Sequence, residues 1–334
     1  MSGIANVDKD EAGVRLDRWF KRRFPAVTHG HLEKLLRTGQ VRVNGKRAKA
    51  GDRLEAGQAI RIPPQLEHDA APQPSKPHVV VSNADSKFIE GLVIHEDAST
   101  FVLNKPSGLA TQGGSGIGRH IDGMLEALQG KKRQRPRLVH RLDRDTSGVL
   151  VVARTVPAAG ALSESLRRRD ARKIYWALTK GVPKPRRGVI KLALSKETGF
   201  GRKGRDERMT PADSEAENAK SATTYYAVLG AAADQYAWVA LRPVTGRTHQ
   251  LRAHLAHIGT PIVGDFKYGG PAAKGMGELE DRLHLHARTI DIAHPDGGRL
   301  RATADLPPHM AHAWKIFGFD ASYAEDPFSD ENRR

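Results

Sequence analysis

Cysteine is absent from the 334 residues, which rules out disulfides, thiolate nucleophiles and cysteine metal sites. Aromatic residues make up only 6%, and apolar runs such as Val149 to Ala153 fall far short of the roughly 20 residues a membrane-spanning helix requires. Met1 to Glu11 lacks the apolar core of a secretory signal, so a cytoplasmic protein is expected. Acidic charge is scarce beside basic: 38 Asp and Glu face 54 Lys and Arg, a formal net charge of +16. Such an excess points to a polyanionic partner rather than a small metabolite. No Walker A sequence occurs. Gly199-Phe200-Gly201-Arg202-Lys203-Gly204 fits GxGxxG, but no apolar helix follows and Pro211 interrupts, which argues against a dinucleotide site. His249, His254 and His257, and the pair His284 and His286, lack zincin spacing, so no metal is expected either.

Hydrophobic residues reach 39%, the globular range, in a chain long enough for one large domain and one small. The positive charge is concentrated: residues 13–63 hold thirteen Lys and Arg against four acids, nine of the sixteen net charges. That density suits a phosphate-binding module. Within it Leu16, Trp19, Phe20 and Phe24 recur at helical spacing, and a second helix is predicted from Thr28 to Gly39 with Leu32, Leu35 and Leu36 inward. Val41-Arg42-Val43 alternates as a strand, Asn44-Gly45 signals a type I′ turn, and Leu54 to Ile62 supplies another extended piece. The prediction is a flexible N-terminus over 1–12, then two helices and a small hairpin. Residues 64–87, rich in Pro, Ala, Ser and His, read as a linker.

From Phe88 to Phe319, strand-like runs (Thr100 to Leu103, Val149 to Ala153, Ile174 to Thr179, Thr223 to Leu229, Ala237 to Leu241) alternate with short amphipathic stretches. This predicts an α+β domain around a central mixed, mostly antiparallel sheet. Residues 195–220, charged and almost without aliphatics, are expected to be a mobile insertion, and 320–334 a loose tail. A monomer is expected.

The N-terminal segment RLDRWFKRRFPAVTHGHLEKLLRTGQVRVNGKRAKAGDRLEAGQAIRI resembles the S4 RNA-binding domain. The resemblance implies that Arg37, Arg42 and Lys46, on the second helix and hairpin, meet RNA backbone. Further along, His140-Arg141-Leu142-Asp143-Arg144-Asp145-Thr146-Ser147-Gly148 concentrates charge where a loop meets the buried-looking strand at Val149, a junction that favours sites. A helix cap or a loop ion pair is the plainer account of Asp143 or Asp145. The segment resembles the catalytic motif of the RluA, RluC and RluD group of ribosomal RNA pseudouridine synthases, HRLD, two residues, TSG, and matches it in full.

Further blocks fit that family in the same order. Leu103-Asn104-Lys105-Pro106-Ser107-Gly108-Leu109 resembles its NKPxG segment, Arg172-Lys173-Ile174-Tyr175-Trp176-Ala177 its RKxYxA strand, and Gly246 to Arg252 through Gly264 to Gly269 its third block. Leu285-His286-Ala287 with His294-Pro295 is similar to its last strand. What the resemblance implies is a pseudouridine synthase, RluC-like, acting on 23S ribosomal RNA without a coenzyme. Asp143 would be the catalytic aspartate, Tyr175 would lie against the uracil, and Arg252 would pair with Asp143. Arg141 would hold the place of the flipped nucleotide or its phosphate. His140, Asn104, Lys105, Leu251 and Arg247 would be further RNA contacts.

The residue types suit that reaction, which breaks a glycosidic bond, turns the uracil, rejoins it through C5 and loses the C5 proton. A carboxylate could attack the sugar, remove the 2′ proton or add to C6 of the base, and the motif does not choose among these. The base must leave its stack to be reached. Lys131 to Arg137 and Arg167-Arg168-Arg169 are candidate phosphate clamps or simply solvated faces. A noncatalytic RNA-binding relic of the fold is the competing reading, and such a relic would be free to lose Asp143 and Arg252.

Overall fold

The computed structural model describes residues 3–329 apart from 9–10, 67–80, 115–116, 131–133, 201–205, 214–215 and 217. The chain divides into two compact units, Met1–Val80 and Val81–Arg334.

In the first unit, β1 (Gly3–Asn6) precedes α1 (Leu16–Arg23) and α2 (His29–Arg37), and β2 (Arg42–Val43) and β3 (Ala59–Ile62) follow. Leu16, Trp19 and Phe20 bury one face of α1 against Leu32, Leu35 and Leu36 of α2. Thr28 caps α2 by accepting the His31 amide at 3.3 Å. Asn44 and Gly45 have φ of 48° and 74°, the left-handed pair of a type I′ turn. The expected hairpin has a third strand. β1 pairs antiparallel with β3, which also holds β2, so part of the terminus expected to be flexible is in the sheet. Gly-Ile-Ala-Asn has little intrinsic strand preference; the partner, more than fifty residues away in sequence, supplies it.

The second unit opens with α3 (Asn83–Gly91), capped by Ser82, whose Oγ accepts the Asp85 amide at 3.1 Å. This helix begins ahead of the expected boundary at Phe88; residues 67–80 of the expected linker lie outside the described residues. There follow β4 (Val93–Glu96), β5 (Thr100–Lys105), α4 (Ile121–Met124), β6 (Arg137–Leu138), β7 (Ser147–Ala153), α5 (Val156–Ser165), β8 (Arg172–Lys180) and β9 (Arg187–Lys191). Next come β10 (Leu194–Phe200), β11 (Asp206–Pro211), β12 (Thr223–Ala232), β13 (Tyr236–Pro243), α6 (Gln250–His257) and α7 (Phe266–Gly269). The last elements are β14 (Leu285–Ala293), β15 (Arg299–Thr303) and α8 (Pro308–Phe317).

Ten of these strands make one sheet in the order β4-β5-β7-β14-β8-β13-β12-β9, with β15 added to β14 and β6 to β7. The β7–β14 pair is parallel and the others are antiparallel, which is the mixed, mostly antiparallel sheet of an α+β fold. Every residue of β7 is buried. Leu150 and Val152 enter the cluster with α3 and α4, while Val149 and Val151 enter the one with α5. A strand covered on both faces needs an uninterrupted apolar run, and Val149 to Ala153 is one. On the far half of the sheet Trp176, Trp238 and Trp314 of α8 pack together, ring centroids 4.6 to 6.1 Å apart.

The charged 195–220 stretch is not a loose insertion where it is described. β10 and β11 pair as a separate hairpin, and Met209 at 9% exposure joins Leu194, Ala253 and Tyr268 in a small core. One buried side chain in a charged strand is too weak a periodic signal to read. Gly199 and Phe200 of the GxGxxG match lie in β10; residues 201–205 lie outside the described residues, and the next described element is the strand β11. Of the expected tail, 330–334 lies outside the described residues, whereas Phe328 is fully buried.

Candidate active site

The loop between β6 and β7 carries Asp143, and a second turn, just after β5, fastens it. Lys105 is fully buried, and its ammonium donates to the carbonyls of Pro106, Leu109 and Arg144 at 2.9, 2.7 and 2.9 Å. Ser107 Oγ donates to the Asp145 carbonyl at 2.8 Å, and the Gly108 amide to that of Arg144 at 3.0 Å. Thr111 Oγ1 donates to the Leu142 carbonyl at 2.6 Å and accepts the Leu142 amide at 3.2 Å. Leu142 itself is buried. The alternation of buried leucine and half-exposed aspartate thus aims Asp143 outward, with its side chain 22% exposed.

At the loop's exit Gly148 has φ of 109°, and a β-carbon there would sit 2.2 Å from the Ala287 carbonyl oxygen. Only glycine allows β14 this close to the end of β7. The opposing wall comes from α6 and α7. Gln250, 3% exposed, donates to the Thr223 carbonyl and Thr224 Oγ1, both at 2.9 Å. Its Oε1 accepts from Thr245 Oγ1 and the Arg247 amide at 2.7 and 3.1 Å. So pinned, the loop leaves His249 in the left-handed region, φ 52°, immediately before α6.

Asp143, Arg252, His249, Phe266 and Lys267 line one cavity of about 670 Å³, well above the volume of a nucleoside and within the usual range of ligand sites. His249 Nε2 stands 3.9 Å from Asp143 Oδ2. Arg252 corrects the expected pairing: it does not form an ion pair with Asp143. Its Nε and Nη2 donate to Asp265 at 2.8 and 2.7 Å, in a pair 9% and 0% exposed. Two parallel bonds in a dry setting hold the guanidinium more tightly than a half-exposed carboxylate could. Burial works against the charge of Arg252, but the Asp265 bonds and the Asp265 and Asp143 carboxylates raise its pKa overall. Asp143 is therefore felt across the cavity without being bonded.

Tyr175 is not among the residues lining that cavity. It sits in β8 opposite Ala287, half-buried between the clusters of Leu142 and Leu251. Burial, reinforced by the Asp143 charge, drives its phenol pKa up, so it stays neutral. Leu251, 7% exposed, packs in the core beside it. Two expected RNA contacts are corrected. Lys105 is an internal brace, its three donors spent on carbonyls and its pKa drawn down to about 7 by burial, against Asp145 and Asp143. His140 accepts the Val151 amide at Nε2, 2.8 Å, and burial lowers its pKa to about 4, so it is a neutral strap on β7. Asn104 donates to the Asp305 carbonyl at 3.1 Å, and Arg247 to that of Ser221 at 3.1 Å. Arg141 is exposed. In the first unit Arg37 and Lys46 are exposed, while Arg42 donates to the Gly39 and Gly45 carbonyls.

Of the candidate clamps, Arg135 pairs with Asp122 and Glu126 and Arg168 with Asp170; residues 131–133 lie outside the described residues. Asp97, His294 and Asp296 bring ligand atoms within 4.8 Å of one another. They lie at the end of β5 remote from Lys105, where Asp97 already accepts from His95, His294 and the Ser99 and Thr100 amides. His249, Asp265 and Tyr268 are the site residues that sequence reasoning left without a role. Their signal was membership of the third block, and for His249 the sequence raised only the question of a metal ligand.

This geometry has counterparts. The family model for RNA pseudouridylate synthase matches residues 99–257, and that for the S4 domain residues 14–60. The ribosomal large subunit pseudouridine synthase C of Vibrio cholerae is 35% identical, over 92% of this chain and 94% of its own length. The chain belongs to the RNA pseudouridine synthase family. The synthase C of Escherichia coli is 36% identical over 89% of this chain and 90% of its own, and a mitochondrial RNA pseudouridine synthase 4 of Arabidopsis thaliana is 34% identical over 90% and 78%. The solved structure of human RNA pseudouridylate synthase domain containing 4 aligns with a TM-score of 0.58 at 30% identity, over 71% of this chain and 97% of that one. The synthase is thus an RNA isomerase with an S4 domain. Among the described residues no helix is long and apolar enough to cross a membrane.

Proposed function

We propose that this synthase converts specific uridines of the large-subunit 23S ribosomal RNA to pseudouridine, with Asp143 as its essential carboxylate. The observation that carries the reading is Asp143 itself, half-exposed on a loop braced by Lys105 and Thr111, facing a cavity large enough to admit a nucleoside and lined by basic side chains. The synthase C relatives, named for the ribosomal large subunit, support the substrate class.

A flipped uridine entering the cavity presents its sugar and base to a carboxylate whose backbone cannot retreat, the positioning on which such catalysis depends. The Asp143 carboxylate acts as nucleophile or base, and all three routes open to it start from the same oxygen. Arg252, fixed by Asp265, contributes a positive field to the cavity and favours the anionic states of the reaction. Tyr175, kept neutral by burial beside the Asp143 charge, is the tyrosine that meets the uracil ring when the nucleotide is bound. Phe266, 45% exposed on the rim beside Lys267, offers a stacking face to a neighbouring base. Arg37, Arg42 and Lys46 contact RNA backbone, and Arg141 the phosphate of the flipped nucleotide. The synthase works as a monomer without a coenzyme.

The test supplies unmodified large-subunit rRNA transcript to the wild-type enzyme and to Asp143→Asn, and scores pseudouridine by carbodiimide mapping. Product from the wild type and none from the variant is the expected result. Equal product from both would end the role of Asp143.

A further inference from the structure

His249 is the strained residue of the site. A left-handed backbone is strained for a residue with a β-carbon and persists only where the surroundings impose it. Here the four bonds of Gln250 do so.

Its two nitrogens face different partners. Nδ1 lies 2.9 Å from the Tyr268 hydroxyl, which also accepts the Met209 amide at 3.0 Å. The Asp143 carboxylate facing Nε2 favours a ring hydrogen on that nitrogen, and the hydroxyl, with one lone pair taken by the amide, can then give its own hydrogen to Nδ1. Nε2 is the atom that faces Asp143, 3.9 Å away. We propose that His249 is a positioning residue for Asp143: its Nε2–H, held in that tautomer by Tyr268 and the Met209 amide of the β10–β11 hairpin, orients the carboxylate toward the bound nucleoside. The inference rests on the role of Asp143 and adds a fixed donor to it. It also explains the hairpin, which reaches the reaction centre through one amide.

The groups facing the imidazole come from every side: Asp143 from the β6–β7 loop, Arg252 from α6, Asp265 from the turn before α7, and Lys267 and Tyr268 from α7. Arg208 of β11 lies over the Tyr268 ring at 5.3 Å. Burial lowers the pKa of His249, with Arg252 and Lys267 acting in the same sense and Asp143 and Asp265 opposing. The ring is therefore neutral near pH 7. On acidification below the ordinary histidine range it becomes an imidazolium that binds Asp143 as an ion pair and blunts its reactivity.

The test measures single-turnover rates from pH 5 to 8 on unmodified large-subunit rRNA transcript, with filter binding of the same RNA, for wild type, His249→Gly, Tyr268→Phe and Asp143→Asn. His249→Gly relieves the backbone strain and should fold and bind RNA normally. Its rate should fall roughly tenfold to a hundredfold, the effect of a reacting group misplaced by about 1 Å, and the acid side of its pH profile should differ from that of the wild type. Tyr268→Phe should lose a smaller part of the rate and shift that side of the profile. Wild-type rates and pH profile in both variants, with Asp143→Asn inactive, would overturn the proposal while sparing the role of Asp143. Activity in Asp143→Asn would remove that role and the proposal with it. Should His249→Gly fail to fold, Tyr268→Phe decides alone, and an unchanged rate and profile overturns the proposal.

Discussion

At the scale of single residues, the charged side chains of the motif blocks divide by what their donors touch. Lys105 and Arg252 both stand in motifs rich in charge, and both are buried; neither is free to meet RNA as a surface cation would. The three carbonyls around Lys105 match the three hydrogens of an ammonium group. Lys105→Met should keep the stem packing and orphan those acceptors, at a cost on the order of 3 kcal/mol or more. The check is urea unfolding: an unchanged midpoint, with only RNA affinity reduced, would restore Lys105 as a contact residue. Asp143 was legible because its neighbours in sequence complete one contiguous motif. His249 was not, since nothing local announces a left-handed histidine.

At the scale of elements, the motifs map onto junctions rather than onto helices or strands. The turn after β5 braces the loop before β7, and the close β7–β14 approach fixes the loop's other end. Gly148→Ala would force a β-carbon into the β14 backbone at a φ that alanine avoids, and should leave little folded protein. Gly160, inside α5 with nothing within 4 Å of its would-be β-carbon, is the control: Gly160→Ala should be neutral or stabilising by about 0.5–1 kcal/mol. Circular dichroism and thermal melts of the two variants make the comparison; equal stability would mean that the close approach is dispensable. The central strands β5, β7, β8 and β13 were legible because both faces are largely covered, giving apolar runs. β1 was not, because pairing with a distant partner, not local pattern, makes it a strand; the β10–β11 hairpin was not, because one buried side chain, Met209, leaves no period in a charged stretch.

At the scale of the whole molecule, the distribution of histidine predicts an acid weakness. Burial holds His140, His254, His284 and His286 near a pKa of about 4, below the ordinary value of about 6.5. Above that value both folded and unfolded chains carry these rings neutral, and they leave stability independent of pH. Between about 6.5 and 4 the unfolded chain takes up protons that the folded chain refuses, so stability falls as pH falls. Each ring contributes up to about 1.4 kcal/mol for every tenfold by which folding weakens its hold on a proton. Urea unfolding at pH 7.5, 6.5, 5.5 and 5.0 should show a level region and then a decline, and constant stability down to pH 5 would contradict the burial of these rings. The sequence by itself determined the α+β class, the S4 module, the reaction family and the loop bearing Asp143, because composition, apolar runs and contiguous motifs are local properties of the chain. Packing alone decided that Arg252 answers to Asp265, that Lys105 faces inward, and that His249 stands beside Asp143 while bonded to Tyr268, which takes the Met209 amide. Those partners lie on separate elements, and which donor reaches which acceptor is settled by packing, which no stretch of sequence contains.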